Sequence, residues 1–356
     1  MRTFSVWLAL ALPVFGINVV GAWAQVATPA AAGKWAIAVH GGAGSGEWEH
    51  MPDAKEAAYH AALDRALKAG AAVLAKDGAP MDAVEATLHV LEDDPLFNAG
   101  RGAVFNEHGE NEMDASIMDG KTLEAGAVAN VHFTKNPISL ARSVMEKTPY
   151  VMMVGTGADE YSKRAGLPQE PVSYFWTARR WKELLEVLEK SGRPAPPLPE
   201  GVTQAMTEVP ADAVSPRHHY GTTGVVVRDR KGNVAAGTST GGMQGKMRGR
   251  VGDSPIIGAG TYANNASCAV SGTGVGEYFI RLNLARSICD LVQYRGMAVQ
   301  AAADEELHKV LPSLKGGEGG VIVLSPGEAP VWSFNTKGMF RARMVEGGVE
   351  EVAIRH

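Results

Sequence analysis

Cysteine is almost absent: the 356 residues hold only Cys268 and Cys289, in neither a Cys-x-x-Cys pair nor a zinc-type spacing. Thiolate metal clusters and dithiol redox motifs are thereby excluded. The two cysteines read as buried small apolar residues, with a disulfide between them left open because spacing in sequence does not give separation in space. Runs of Lys and Arg are also missing, and the formal net charge is -5, so there is no electrostatic footprint for nucleic acid. No internal repeat recurs at a fixed period. No His-Glu-x-x-His pattern occurs either, and His218-His219 fall in a polar stretch, so no transition metal is suggested.

A membrane-spanning run of about 20 apolar residues is lacking too. Arg2 precedes a shorter apolar stretch from Val6 to Val20, followed by Ala22-Trp23-Ala24 at the positions a signal peptidase reads. Residues 1–24 therefore read as a cleavable signal peptide, and the mature chain as periplasmic or secreted, with no membrane contact after cleavage. Residues 25–33 read as a short tether.

What is present is ordinary globular composition, 45% hydrophobic and 21% charged. Trp35 to Val39 reads as a buried strand ending in a glycine turn, His40-Gly41-Gly42-Ala43-Gly44. Helical spacing follows at Asp53 to Ala75, Met81 to Leu91, Pro137 to Lys147 and Trp176 to Lys190, with strand-like runs at Asp114 to Met118 and Ala125 to Phe133. From Ser191 to Tyr220, six prolines fall in a stretch without apolar period, which reads as a mobile linker. Thr223 to Val227 and Val234 to Thr240 then flank a turn, Asp229 to Asn233, as a hairpin does. Beyond it come a strand-like run, Ile256 to Val270, and the glycine-rich Ser271 to Gly276. Helices over Glu277 to Tyr294 and Ala298 to Val310 follow, with closing strands at Val321 to Leu324 and Val331 to Arg343.

Chemistry concentrates where linker meets hairpin. A cut between Gly221 and Thr222 leaves an N-terminal threonine at a strand end. Its hydroxyl is a weak nucleophile, but an α-amine with pKa about 7.7 to 8.0 is a base available near neutral pH. One residue then supplies nucleophile and base. Glycine before the cut tolerates the strained backbone that the attack on the preceding carbonyl requires.

Several motifs stand in order around that point: His40-Gly41-Gly42-Ala43-Gly44, Asn98 to Phe105, Met113 to Gly120, Gly221-Thr222-Thr223-Gly224, Thr238 to Met243, Gly249 to Pro255, Gly258 to Gly260, Tyr262 to Asn265 and Gly272 to Glu277. Together they resemble the isoaspartyl peptidase/L-asparaginase family, the plant-type N-terminal nucleophile asparaginases, over nearly the whole chain from Lys34. The resemblance implies an α+β fold, a four-layer αββα sandwich of the N-terminal nucleophile hydrolase type. An α subunit, 25–221, with its linker 191–220, and a β subunit, 222–356, form that one domain and pair as a dimer of αβ heterodimers. The implied activity is hydrolysis of the side-chain amide of L-asparagine or of β-aspartyl dipeptides, with the preference between them open.

The same resemblance implies Thr222 as nucleophile and Thr240 as the hydroxyl bonded to it. Arg250 would hold the substrate's α-carboxylate through a planar fork and Asp253 its α-ammonium. Thr273 and Gly274 would donate to the oxyanion, with Gly276 lining the substrate site. Asn98 is either a further polar contact at the nucleophile or a turn residue. His40 belongs to the glycine turn, not to catalysis. A structural sodium ion is implied, held by backbone carbonyls of Leu91, Glu92, Asp94, Phe97, Ala99 and Arg101, and no organic cofactor. Two features depart from the family pattern: Thr223 sets a second hydroxyl beside the nucleophile, and Lys246 and Arg248 make the loop before Arg250 basic. A dinucleotide loop at Ser271 to Gly276 fails because Glu277 stands at the third glycine's place. The remaining alternatives are a glycosylasparaginase and an uncleaved amino-acid-binding protein.

Overall fold

Both faces of the central strands are apolar, so each must be covered. In a computed structural model, which describes residues 33–44, 51–207, 221–348 and 350–355, the chain order begins with β1 (Ala36–Gly44), α1 (Asp53–Leu74), α2 (Pro80–Asp93), β2 (Met113–Asp119) and β3 (Ala125–Val131). Next come α3 (Pro137–Lys147), β4 (Met152–Val154), α4 (Gly155–Arg164), α5 (Val172–Phe175) and α6 (Ala178–Lys190). Beyond Thr222 lie β5 (Thr223–Arg228), β6 (Val234–Thr240), β7 (Thr261–Ala263), β8 (Ala269–Gly274), α7 (Gly276–Leu282), α8 (Leu284–Arg295) and α9 (Val299–Glu305). The chain closes with β9 (Gly319–Leu324), β10 (Val331–Phe334), β11 (Gly338–Val345) and β12 (Glu350–Arg355). Helices and largely antiparallel sheets make this an α+β protein.

Among the described residues, one sheet has eight strands in the order β12-β11-β1-β5-β6-β2-β3-β4, and a second has four in the order β10-β9-β8-β7. In the large sheet β1, from before Thr222, lies between β11 and β5, and β6 lies against β2, so the two segments share one core. Ile37, Val39, Val225 and Val227 point into an apolar cluster with Leu63, Leu67, Val84 and Leu88 of α1 and α2. Their neighbours Ala36, Ala38, Val226 and Ala236 point the other way, into a cluster with Val270 and Val321 of the small sheet and Ile288 of α8. Period-two alternation thus sends residues to two different cores. Alanines predominate on the face where sheet meets sheet.

Several elements differ from the sequence reading. The expected glycine turn at His40 to Gly44 is strand: β1 continues through it with a bulge between His40 and Gly42, made possible by a φ of +118° at Gly42. The long helix after Glu277 breaks at Asn283, whose φ is +50°, into α7 and α8. The strand-like run from Ile256 resolves into β7 and β8, and the glycine-rich segment is the end of β8. The packed structure continues beyond Ser191, where a mobile linker was expected: Leu198 and Val202 anchor residues 191–207 against Trp181 and Leu188 of α6. Cys268 and Cys289 are joined in a disulfide that ties the small sheet to α8. The signal peptide, most of the tether and the rest of the linker, 208–220, lie outside the described residues. Among the described residues, no helix is long and apolar enough to cross a membrane.

Candidate active site

The hairpin of β5 and β6 turns at Asp229, whose carboxylate accepts from the backbone N–H groups of Lys231 and Asn233 at 2.8 Å each. Its open end therefore brings Thr222, just before β5, beside Thr240, the last residue of β6. The Thr222 hydroxyl donates to Thr240 Oγ1 at 3.2 Å. Thr240 Oγ1 in turn donates to the Gly221 carbonyl at 3.1 Å and accepts from Gly242 N at 3.0 Å. Both hydroxyls are shielded from water, since Thr222 and Thr240 are buried, while Gly221 and Gly242 are half-buried.

Asn98 is not a mere turn residue. Its Nδ2 donates to the Gly221 carbonyl at 2.6 Å and to the Gly242 carbonyl at 2.7 Å, while its Oδ1 accepts from Val104 N at 2.9 Å. The amide orientation follows from these partners, since only the NH₂ end can meet two carbonyls. Two donors, Asn98 and Thr240, thus converge on the carbonyl oxygen that precedes Thr222. Thr223 points elsewhere: its hydroxyl donates to the Ser239 carbonyl at 3.0 Å across the hairpin, on the opposite face. Strand alternation separates the two adjacent hydroxyls.

His40 holds the backbone of Thr222 itself. It is fully buried, and burial drives its pKa down to about 3, so the ring is neutral. The Thr222 carbonyl can only accept, so Nδ1–H donates to it at 3.0 Å and Nε2 accepts from the Ser271 hydroxyl at 2.8 Å. Gly42 passes closest to the bond before Thr222: a Cβ there would stand 3.0 Å from Gly221 Cα and 3.3 Å from Thr222 N. Its positive φ and the lack of a side chain answer one need.

A cleft opens beside Thr222, lined by Thr240, Gly242, Met243, Arg250, Gly252, Asp253, Ser254 and Gly274 as well as Gly221. It has room for only about 10 Å³, roughly one water. Arg250 and Asp253 both reach it but do not pair as neighbours in a loop could. Arg250 is instead gripped by Glu277, Nε to Oε1 and Nη2 to Oε2, each at 2.9 Å. Asp253 is buried, its Oδ2 has no hydrogen-bond partner among the described residues, and burial raises its pKa to about 7 against the pull of its own backbone N–H and of Arg250. A buried carboxylate oxygen without a partner is costly unless something cationic meets it.

Gly276 stands against these two groups: a Cβ there would be 2.8 Å from Asp253 Oδ1 and 3.1 Å from Arg250 Nη2. Thr273 Oγ1 accepts from Ala43 N at 3.1 Å, which leaves its O–H free to donate, and the residue is fully buried on β8. Of the basic loop, Lys246 is buried and donates to the Glu112 carbonyl at 2.8 Å, whereas Arg248 is exposed and pairs with Glu110. Sequence reading missed Glu277, Glu112 and Asp114, which set the charge balance behind the cleft. Their carboxylates are ordinary in sequence. Only the fold assembles them.

The carbonyl loop named for sodium begins at the end of α2. Leu91 lacks its helical partner because Pro95 carries no N–H, and the Leu96 N–H that would cap Glu92 donates instead to Asp94 Oδ1 at 3.0 Å. Asp94 and Ala99 carbonyls each accept one backbone N–H, from Phe97 at 3.3 Å and Gly102 at 3.1 Å. Side chains at Gly100 and Gly102 would collide with the carbonyls of Glu92 and Phe97. Arg101 extends from the same turn toward the Tyr174 ring. A tightly wound loop offering neutral oxygen dipoles fits a hard monovalent cation. Among the described residues, no group of three or more His, Cys, Asp or Glu could hold a metal ion.

Comparison with known proteins accords with this constellation. The chain is 42% identical over 317 residues to an isoaspartyl peptidase of Escherichia coli (strain K12), covering 87% of this chain and 92% of that one. It is 40% identical to a probable isoaspartyl peptidase/L-asparaginase 2 of Arabidopsis thaliana over 90% of this chain and 99% of that one. The human isoaspartyl peptidase/L-asparaginase is 44% identical over 81% of this chain and 86% of its own length. With a family model described as asparaginase matching residues 33–354, the chain that places Thr222, Thr240 and Asn98 around one carbonyl belongs to the asparaginase family.

Proposed function

We propose that this enzyme matures by cutting itself between Gly221 and Thr222 and then hydrolyses the side-chain amide of β-aspartyl dipeptides and L-asparagine, releasing L-aspartate. One observation carries the reading: the Gly221 carbonyl accepts from both Asn98 and Thr240, while the Thr222 hydroxyl lies on the same Thr240. In self-cleavage Thr222 Oγ1 attacks the Gly221 carbonyl carbon. The developing oxyanion is met by Asn98 Nδ2 and Thr240 Oγ1, the C–N bond breaks as the nitrogen takes a proton, and water hydrolyses the ester left on Thr222. The same event frees the α-amine as base for turnover.

In turnover Thr222 attacks the substrate's side-chain carbonyl, with Thr273 and Gly274 as oxyanion donors. Ammonia or an amino acid leaves, and water releases aspartate. Arg250 takes the α-carboxylate and Asp253 the α-ammonium, which supplies the cation its partnerless oxygen lacks. Because Gly221 lines a cleft with room for about one water, departure of the α chain's end is needed to admit the substrate's head.

The finer parts of the proposal have their own supports. The layer order helix, sheet, sheet, helix, of the N-terminal nucleophile hydrolases, rests on the packing of α1 and α2 on one sheet and of α8 and α9 on the other. The loop from Leu91 to Arg101 would bind sodium through its carbonyls, stiffening the segment that carries Asn98. Export to the periplasm or beyond, after loss of residues 1–24, is in keeping with the Cys268–Cys289 disulfide, a bond that persists in oxidising compartments. Assembly as a dimer of αβ heterodimers, with chains 25–221 and 222–356, completes the reading.

Intact-mass measurement of the purified protein tests it: two pieces meeting at Gly221 and Thr222 are expected, and one full-length piece from Thr222→Ala. Processing that persists in Thr222→Ala, or is blocked instead by Thr223→Ala, overturns the assignment.

A further inference from the structure

Arg250 has two usable edges. Glu277 occupies one of them, the Nε and Nη2 edge, with two bonds of 2.9 Å. The Nη1 end faces the cleft: it is 3.4 Å and 2.9 Å from where Cβ atoms on Gly242 and Gly252, both cleft-lining residues, would stand. Arg250 is 18% exposed, so its guanidinium is mostly withdrawn from water, and Glu277 is 50% exposed at the first turn of α7. A carboxylate on one edge turns the other edge toward a second carboxylate, since a planar guanidinium gripped at two points cannot rotate about its bonds.

We infer that Glu277 is a positioning residue for substrate recognition, holding Arg250 so that its remaining edge meets the α-carboxylate of the aspartyl head. The inference rests on the proposed role of Arg250. Without Glu277 the arginine side chain has several rotamers and must be ordered by each arriving substrate, which costs affinity for the carboxylate alone. Gly276 belongs to the same arrangement. It removes the side chain that would otherwise stand between Arg250 Nη2 and Asp253 Oδ1. The Glu277 carboxylate also offsets the arginine charge, so that in the empty cleft the cation is not left without a partner.

The test uses processed enzyme and two competitive inhibitors against asparagine turnover: L-aspartate, and β-alanine, which keeps the ammonium and the distal carboxylate but lacks the α-carboxylate. The ratio of their inhibition constants reports what recognition of the α-carboxylate contributes. In Arg250→Ala the ratio should collapse toward one. Glu277→Gln keeps the size and one accepting oxygen but removes the charge, and should shrink the ratio roughly three- to fivefold. The β-alanine constant and kcat should hold steady while KM for asparagine rises.

A Glu277→Gln enzyme with an unchanged ratio, or one weakened equally toward both inhibitors, overturns the positioning role. A larger ratio overturns it as well and makes Glu277 a competitor of the substrate. If Arg250→Ala leaves the ratio intact, the failure is that of the Arg250 reading itself, which separates the two.

Discussion

The two sides of the cleft differ in how complete they are. On the nucleophile side, Thr222, Thr240 and Asn98 satisfy one another and the Gly221 carbonyl through protein groups alone. On the proposed recognition side, Asp253 Oδ2 is buried without a hydrogen-bond partner among the described residues, as are Asp114 Oδ2 and Glu112 Oε2, and Arg250 is held by a residue half open to solvent. A self-cleaving centre has its substrate built into the chain and can be fully assembled by folding. A centre that binds a zwitterion must keep charges ready and underpaired until the ligand arrives, at a cost in stability.

The sharpest way to break this contrast is Thr222→Ala, which removes the nucleophile of both reactions and should lower asparaginase turnover by about 10⁴ or more, measured as ammonia release. Next is Asn98→Ala. It takes one of two donors from the Gly221 carbonyl and should slow processing by roughly 10²- to 10³-fold, followed by the time course of the two pieces on a denaturing gel. If Asn98→Ala processes at the normal rate, the nucleophile side is not the preassembled centre described above.

On the recognition side, Arg250→Ala should lower kcat/KM for asparagine by roughly 2 to 4 kcal/mol in transition-state terms while leaving processing intact. An equal loss in processing would join the two sides into one machine. A smaller effect concerns the floor of the site. Glu92 is fully buried, its Oε1 accepts from Ser239 Oγ at 2.6 Å and from Ile138 N at 3.0 Å, and burial raises its pKa from 4.5 to about 8. A raised folded-state pKa means that the folded protein holds the proton more tightly. Its stability contribution is therefore full below pH about 4.5 and is lost as pH rises toward about 8. Glu92→Gln should flatten that decline, whose slope is at most about 1.4 kcal/mol per pH unit, in urea unfolding at several pH values. The smallest effect is expected from Thr223→Ala, about 1 kcal/mol of stability for one lost hydrogen bond, with processing unchanged.

Much of the fold was legible because the signals are local. Helix α3 falls at Pro137–Lys147 as its spacing predicts, and β5 and β6 lie where alternation and the Asp229 turn put them. Among the described elements, four escaped: β4, α4, α5 and β12. Two of these are edge strands, α4 is a polar surface helix and α5 is a single four-residue turn, so none carries the apolar periodicity that marks buried elements. The bulge in β1 was misread as a turn because glycine signals permission for unusual backbone, not which unusual backbone is used.

The sequence by itself determined the family and the hairpin that begins at a Gly-Thr step, because ordered motifs and short-range periodicity survive in one dimension. Tertiary structure alone decided the rest: which of two adjacent threonine hydroxyls faces the cleft, that Asn98 grips the carbonyl at the cut, that the two cysteines pair, and that Arg250 answers to Glu277 and not to Asp253. Each of these is a matter of direction and of distance between residues remote in the chain, and sequence spacing carries neither.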